Sequence, residues 1–431
     1  MKKSAIFLLM AAVSAPAGAQ QYDPFDRLGT LQGADNPFGR DRNVAVSDRP
    51  RPDYATVPIR LGSWMITPQL ATEASYDDNI YSTDGSTVDD LILCARPRLA
   101  IARPDPNFTA SLAGEYEAAR YLSNSSENTD SYAFKGDLRA TVRRDTILSL
   151  RLLHAREAEA RSSPDSETGI ARPNRFTISE AYGEAVHSFN LLRLRGTIDY
   201  EQRDYRDNHD VAGNVIDQDF RDRTTVTGSA IAEYALSPSI SLFAAGSANR
   251  RDYATRIGPV PARDSSGYEL ALGSSFEIGH LMRASLRLGW LDQNYKDPLF
   301  ADVNGALVRG ELAYFVTPLV TLTAKVDRSV ADSGLAGSAG YLRTAYSLKA
   351  DYELLRNLII GAELGQEHRR YNGIDRDDDS FTGRIAASYL ISPRWALRGE
   401  YRHRGQDSSG IAAGRDFGGN QVTIGAVFKG L

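Results

Sequence analysis

The sequence predicts an all-β protein, a transmembrane antiparallel outer-membrane β-barrel of about eighteen strands. Three observations point there: an export leader at the N-terminus, alternation of apolar and polar side chains with period two along most of the chain, and connections that switch regularly between tight turns and long polar loops. Composition agrees. Tyrosine supplies 21 of the aromatic residues, and Lys+Arg 50 nearly balances Asp+Glu 55, which excludes a basic nucleic-acid binder. A single cysteine excludes a disulfide framework or a multi-cysteine metal cluster.

Residues 1–19 open with Lys2 and Lys3, continue through an apolar run from Ala5 to Val13, and end on Ala17, Gly18 and Ala19. This is the pattern of a secretory signal peptide cut before Gln20, and no cysteine follows it to carry a lipid anchor. Beyond it, no stretch approaches the ~18 consecutive apolar residues that a membrane helix needs. Residues 20–60 are rich in Asp, Arg, Pro, Gly and Asn, including Arg49-Pro50-Arg51-Pro52-Asp53, and show no periodicity, so they read as a flexible periplasmic segment. Residues 61–431 are assigned to the barrel.

Alternation is cleanest at 132–142, where Tyr132, Phe134, Gly136, Leu138, Ala140 and Val142 share one face and Lys135, Asp137 and Arg139 lie on the other. It recurs at 192–200, 320–326 and 395–401. Strands are therefore expected near 66–77, 90–102, 108–122, 132–142, 146–156, 175–187, 192–205, 223–236, 240–253, 266–278, 281–295, 305–316, 319–330, 341–354, 358–371, 380–391, 395–406 and 419–429. The segment 175–187 is the least regular, and without it the count falls to about sixteen. Short links such as Arg143-Arg144-Asp145, Asn190, Ser237-Pro238-Ser239 and Gly279-His280 carry turn residues. The long links include 78–89, 157–174, 206–222, 331–340, 372–379 and 407–418. Short periplasmic turns opposite long extracellular loops are the two ends of a transmembrane barrel.

Aromatic residues Tyr76, Tyr132, Tyr182, Tyr268 and Phe381 are expected on the lipid-facing register beside the long loops, as an interfacial girdle. Thr423, Gly425 and Phe428 resemble the terminal signal for barrel assembly, although the chain ends Lys429-Gly430-Leu431.

The other register carries charges that cannot face hydrocarbon cheaply and so must line water or pair inside the barrel. Candidate pore-lining residues are Lys135, Asp137, Arg139, Arg193, Arg195, Asp199, Arg283, Arg287, Lys325, Arg398, Glu400 and Arg402. Their mixed signs argue against strong selection for one ion charge. Tyr121, Tyr205, Tyr253, Tyr295 and Tyr371 end five outgoing strands and by parity continue the polar register, so they are candidate mouth aromatics. Rings there would offer stacking surfaces to sugars or act as rim residues. No nucleophile elbow, zinc-protease motif, phosphate loop or Cys-x-x-Cys is present, and the six histidines lack metal-ligand spacing, so no catalytic residue, cofactor or metal is assigned. The acidic run Asp375, Asp377, Asp378 and Asp379 lacks the glycine and glutamate of a calcium loop and reads as a solvated loop.

The segment Arg51-Pro52-Asp53-Tyr54, Ile59-Arg60-Leu61-Gly62-Ser63-Trp64, Pro68 and Tyr76-Asp77-Asp78-Asn79-Ile80-Tyr81 resembles the opening of a beta-barrel porin family whose members often occur in exopolysaccharide gene clusters of Gram-negative bacteria. The resemblance implies an outer-membrane barrel that serves as a conduit for secretion of exopolysaccharide or capsular polysaccharide. A general diffusion porin for small hydrophilic solutes is the alternative, and a barrel enzyme acting on lipid or glycan is the second. Expected partners are outer-membrane lipid and lipopolysaccharide, the barrel-assembly machinery, and, by the resemblance, periplasmic polysaccharide-export proteins and a glycan polymer.

Overall fold

A computed structural model describes residues 44–166, 169–254, 261–279, 281–335 and 337–430. The expected signal peptide, the first part of the N-terminal segment and His280 lie outside the described residues. In chain order the strands are β1 (Ile59–Leu61), β2 (Trp64–Asp77), β3 (Asp90–Arg103), β4 (Phe108–Tyr121), β5 (Thr129–Arg143), β6 (Thr146–Ala158), β7 (Arg175–Phe189), β8 (Leu192–Tyr205), β9 (Asn208–His209), β10 (Val215–Ile216), β11 (Arg223–Ser237), β12 (Ile240–Tyr253), β13 (Ser265–Ile278), β14 (Met282–Tyr295), β15 (Val303–Thr317), β16 (Val320–Asp332), β17 (Gly340–Leu355), β18 (Leu358–Tyr371), β19 (Asp377–Leu390), β20 (Trp395–Ser409) and β21 (Phe417–Lys429). β9 and β10 form a small ribbon within a loop.

The remaining long strands pair antiparallel, each with its sequence neighbour, from β2 through β8 and from β11 through β21. The sheet then closes on itself, because β2 pairs with β21 from Gln69↔Lys429 to Asp77↔Gln421. The wall has 18 strands. β1 adds a short hairpin through Gly62, whose φ of 61° suits a two-residue turn, and pairs Ile59 with Ile66 where β21 no longer covers β2. Wall strands run from 13 to 16 residues. Since ~9–11 residues cross the hydrocarbon, their ends stand beyond it.

Closure follows from the alternation. On β8, Leu194, Ile198 and Tyr200 point outward and are exposed, whereas Arg193, Asp199, Glu201 and Arg203 point inward and are buried. On β17, Tyr346, Leu348 and Tyr352 face out and Tyr341 and Asp351 face in. The outward belt of Leu, Ile, Phe and Tyr meets lipid, and the polar groups meet the interior. On β14, where it pairs with β13, Gly289 is required. A Cβ there would lie 2.0 Å from the Leu270 carbonyl oxygen and 2.8 Å from the Ala271 Cβ, so only a bare backbone permits the close approach.

Two expectations need correction. Tyr182 does not join the outer girdle: it sits mid-strand on the inward face of β7, buried, with the Arg151 guanidinium 5.6 Å from its ring centre. The inward row of β7 is Phe176, Ile178, Glu180, Tyr182, Glu184 and Val186, and its bulk disguises which face meets lipid. The acidic run is also not all loop, since Asp377–Asp379 open β19 and Asp378 is fully buried against Arg376 at 2.7 Å. Tyr76, Tyr268 and Phe381 are exposed on the outer surface.

Adjacent residues on β17 offer a direct check of the wall. Leu348→Arg, on the outward face at mid-strand, is expected to cost about 2–4 kcal/mol of stability, whereas Ser347→Arg, facing in, costs far less. Urea unfolding in lipid vesicles followed by tryptophan fluorescence measures both. Equal costs would contradict the assigned faces.

Candidate pore and its two mouths

Every candidate pore-lining residue falls on the inward register of its strand, and most are held in ion pairs. Arg151 donates to Asp137 at 3.0 Å on the β5–β6 side, where both side chains remain about half exposed (46% and 49%). Lys135 and Arg139 lie on the same exposed row. Arg193 approaches Glu233 at 3.7 Å and Arg195 approaches Glu184 at 3.6 Å. Lys325 lies 3.7 Å from Glu311. The Arg283 guanidinium sits over Phe315 and that of Arg287 over Phe243. Asp199 is buried among the inward groups of β8. Glu400 gathers Arg384 at 2.7 Å, Arg402 at 2.9 Å and Arg398 at 3.8 Å.

The pairs join into a belt. Arg309 holds Glu269 and Asp327, Arg343 links Asp327 to Glu367, and Glu367 holds Arg369, so one alternating chain of charge runs inside the wall from β13 to β18, and the Arg369 bond to the Gln406 amide extends it to β20. Asp327 and Glu367 each meet two guanidiniums and Glu269 takes both terminal nitrogens of Arg309, which offsets much of the desolvation that lone buried charges would suffer. A second cluster ties Glu73 and Glu117 to Arg96 on β3.

At the extracellular end the five candidate mouth tyrosines all face in. Four are nearly covered: Tyr205, Tyr253, Tyr295 and Tyr371. Phe176 stacks on Tyr205 at 5.0 Å with the Arg221 guanidinium 4.0 Å from that ring's centre, Phe300 packs by Tyr295, and Tyr341 packs by Tyr371. Tyr121 lies on the inward row of β4. Four of the five backbones share a device that sequence reasoning missed. The N–H of Tyr121 donates to Asn128 Oδ1, that of Tyr205 to Asp222, that of Tyr253 to Asp264 and that of Tyr295 to Asp302. Each acceptor immediately precedes the next inbound strand, so an Asp or Asn at that position was the available signal. Burial pushes the Asp222 carboxyl up to about 6, against the opposing pull of the Tyr205 N–H.

The loop between β6 and β7 crosses the mouth. Arg161 pairs with Glu127 at 2.6 Å, Glu159 pairs with Arg221 at 2.6 Å, Asp165 accepts the Gly334 N–H at 2.8 Å, and Arg415 donates to the carbonyls of Arg161, Ser163 and Ser166. These partners belong to the β4–β5, β8–β11, β16–β17 and β20–β21 loops, so one loop is tied to points right round the rim. Arg263 adds bonds to the carbonyls of Ser333 and Leu335. Burial raises the Glu159 carboxyl, but the charge and hydrogen bonds of Arg221 outweigh it and hold the group below its ordinary value. Three exposed carboxylates, Asp207, Asp217 and Asp219, bring oxygens within 4.8 Å of one another. Two of them cap local backbone, accepting the Gln218 and Asp219 N–H groups.

At the periplasmic end, residues 44–55 lie against the inner wall near the β15–β16 turn, with Val46 fully buried.

The profile of the family described as Putative beta-barrel porin 2 matches residues 51–430. No curated protein matches the chain. Solved structures that align with it include three from Pseudomonas aeruginosa. Outer membrane protein OpdK aligns at 11% identity and TM-score 0.45, covering 85% of this chain and 99% of its own. OccK2 (OpdF) in complex with glucuronate aligns at 13% and 0.46, covering 85% and 98%. OpdL aligns at 14% and 0.44, covering 86% and 99%. At such values, what passes through this barrel has to be argued from its own residues.

Arg221→Met should loosen the cap, because it strands the buried Glu159 carboxylate, a loss of about 3–5 kcal/mol. Hydrogen exchange in residues 159–174 reads this directly. In the wild type the pair's contribution is complete above the ordinary glutamate value of 4.5 and is lost as pH falls through the lowered one. Protection factors, corrected for intrinsic exchange at each pH, should therefore hold steady from about pH 7 to about pH 5 and fall only in stronger acid. Loosening already near neutrality would contradict the assignment.

Proposed function

The chain belongs to this beta-barrel porin family, and from that premise we propose that it is a diffusion channel of the outer membrane for small hydrophilic solutes. One observation carries the reading: the charged side chains of the wall gather on the inward register, interrupted by an apolar stretch on β7, so much of the interior is lined for water while the outside is lined for lipid. An eighteen-stranded barrel is wide enough for an aqueous passage. Because most anions and cations of the lining are paired, the interior offers polar contact without a strong bias toward one sign of charge.

The cap supports small cargo. A loop tied to the rim by buried ion pairs narrows the outer mouth, which favours compact solutes over a continuous strand of glycan. Export of exopolysaccharide is the second reading, favoured by the resemblance at residues 51–81. It requires the β6–β7 loop to withdraw so that a chain of sugars can thread. In either case the processed protein resides in the outer membrane after removal of residues 1–19.

Liposome swelling with neutral sugars of increasing size tests the choice. The expected result is entry of monosaccharides, exclusion of long oligosaccharides, and a raised size limit when Arg161 and Arg221 are both replaced by methionine. Purified barrel that admits no sugar under any of these conditions overturns the diffusion reading. Ready passage of long glucans through the unmodified protein would shift the case to polymer export.

A further inference from the structure

The stretch before β1 is docked rather than loose. Val46 is fully buried, and its N–H donates to Thr321 Oγ1 at 3.2 Å, on the inward face at the start of β16. Three residues on, Arg49 reaches Glu353 Oε2 at 3.0 Å and also donates to the Pro318 carbonyl in the periplasmic turn. Arg51 reaches the same Glu353 oxygen at 3.3 Å and turns back to the Val46 carbonyl at 2.9 Å. Glu353 stands near the periplasmic end of β17 with its side chain 10% exposed. Two short 3-10 turns, Val46–Asp48 and Pro52–Tyr54, shape the segment, and Pro50 and Pro52 stiffen it. It leaves the mouth past Val57, whose carbonyl lies beside Gly430, and enters β1.

We propose that residues 44–57 are a reversible gate across the periplasmic mouth, latched on Glu353 by Arg49 and Arg51. The proposal rests on the channel reading. It follows from how the strap is held: it contributes no strand to the wall, so it can leave without breaking one ladder hydrogen bond. Besides the small apolar anchor of Val46, its bond to Thr321 and the Arg49 bond to the Pro318 carbonyl, what holds it is two guanidiniums on a single carboxylate at the mouth. Wall bonds have no substitute in hydrocarbon, whereas these ion pairs exchange for hydration when the strap swings out. The stiff Arg-Pro-Arg-Pro run moves as a unit and loses little entropy on redocking.

The experiment is charge reversal read in planar bilayers, with heat-modifiable gel mobility reporting that each variant forms a barrel. Glu353→Arg should repel both arginines and raise the open fraction about tenfold or more, the factor that corresponds to 1.4 kcal/mol of lost anchoring. Adding Arg49→Glu and Arg51→Glu to that variant should restore the closed state, which mere damage to the wall would not do. Deleting residues 44–57 should give a permanently open pore. Equal conductance in the wild type, the reversal and the deletion overturns the gate and leaves the channel standing. A triple variant as open as the single one also overturns it. Silence in all of them overturns both readings.

Discussion

A backbone crossing hydrocarbon has no water to satisfy its N–H and C=O groups, so each must find a partner inside the protein. In this chain that requirement is met by the pairing of β2 with β21, which joins residues near the two ends of the barrel sequence and removes the free edge. The inward and outward rows exist because the sheet is closed: the same alternation on an open sheet would leave polar groups against lipid at its margins. The short β1 hairpin continues the seam where the last strand has stopped, so the first wall strand is not left bare at its lower end.

Closure creates a second problem, an interior crowded with ionisable groups. The lining answers it by sharing. Asp327 lies between Arg309 and Arg343, Glu367 between Arg343 and Arg369, and Glu400 among three arginines. Arginine dominates because its planar fork can serve two carboxylates at once. Such a lattice adds little net stability to an already bonded wall, but it holds side chains against the wall instead of across the passage. The same chemistry fastens the β6–β7 loop over the outer mouth.

The strands were legible because their information is local: alternate residues choose lipid or water, and β4, β8 and β17 match the expected limits closely. β7 was harder to read because its outward row, Thr177, Ser179, Ala181, Gly183 and Ala185, is small and polar while its inward row is bulky, which inverted the assignment of Tyr182. The tyrosines at the strand ends were found by parity, but the aspartates beneath them were not, since an Asp before a strand looks like any turn residue. The mouths were illegible for a different reason. Arg49 and Glu353 are 304 positions apart, and Arg415 and Arg161 are 254 apart, so nothing near either residue announces its partner. A proline-rich charged stretch read alone has no core to join, and the barrel supplies one.

The tyrosine and aspartate pairs at the outer rim have an evolutionary corollary. Because these four rising strands are each pinned to the residue just before the descending neighbour, the segment in between begins and ends at a fixed foundation. Insertions, deletions or wholesale replacement there leave the architecture underneath untouched. The surface presented to the outside world can thus diversify quickly while the staves of the cask stay constant.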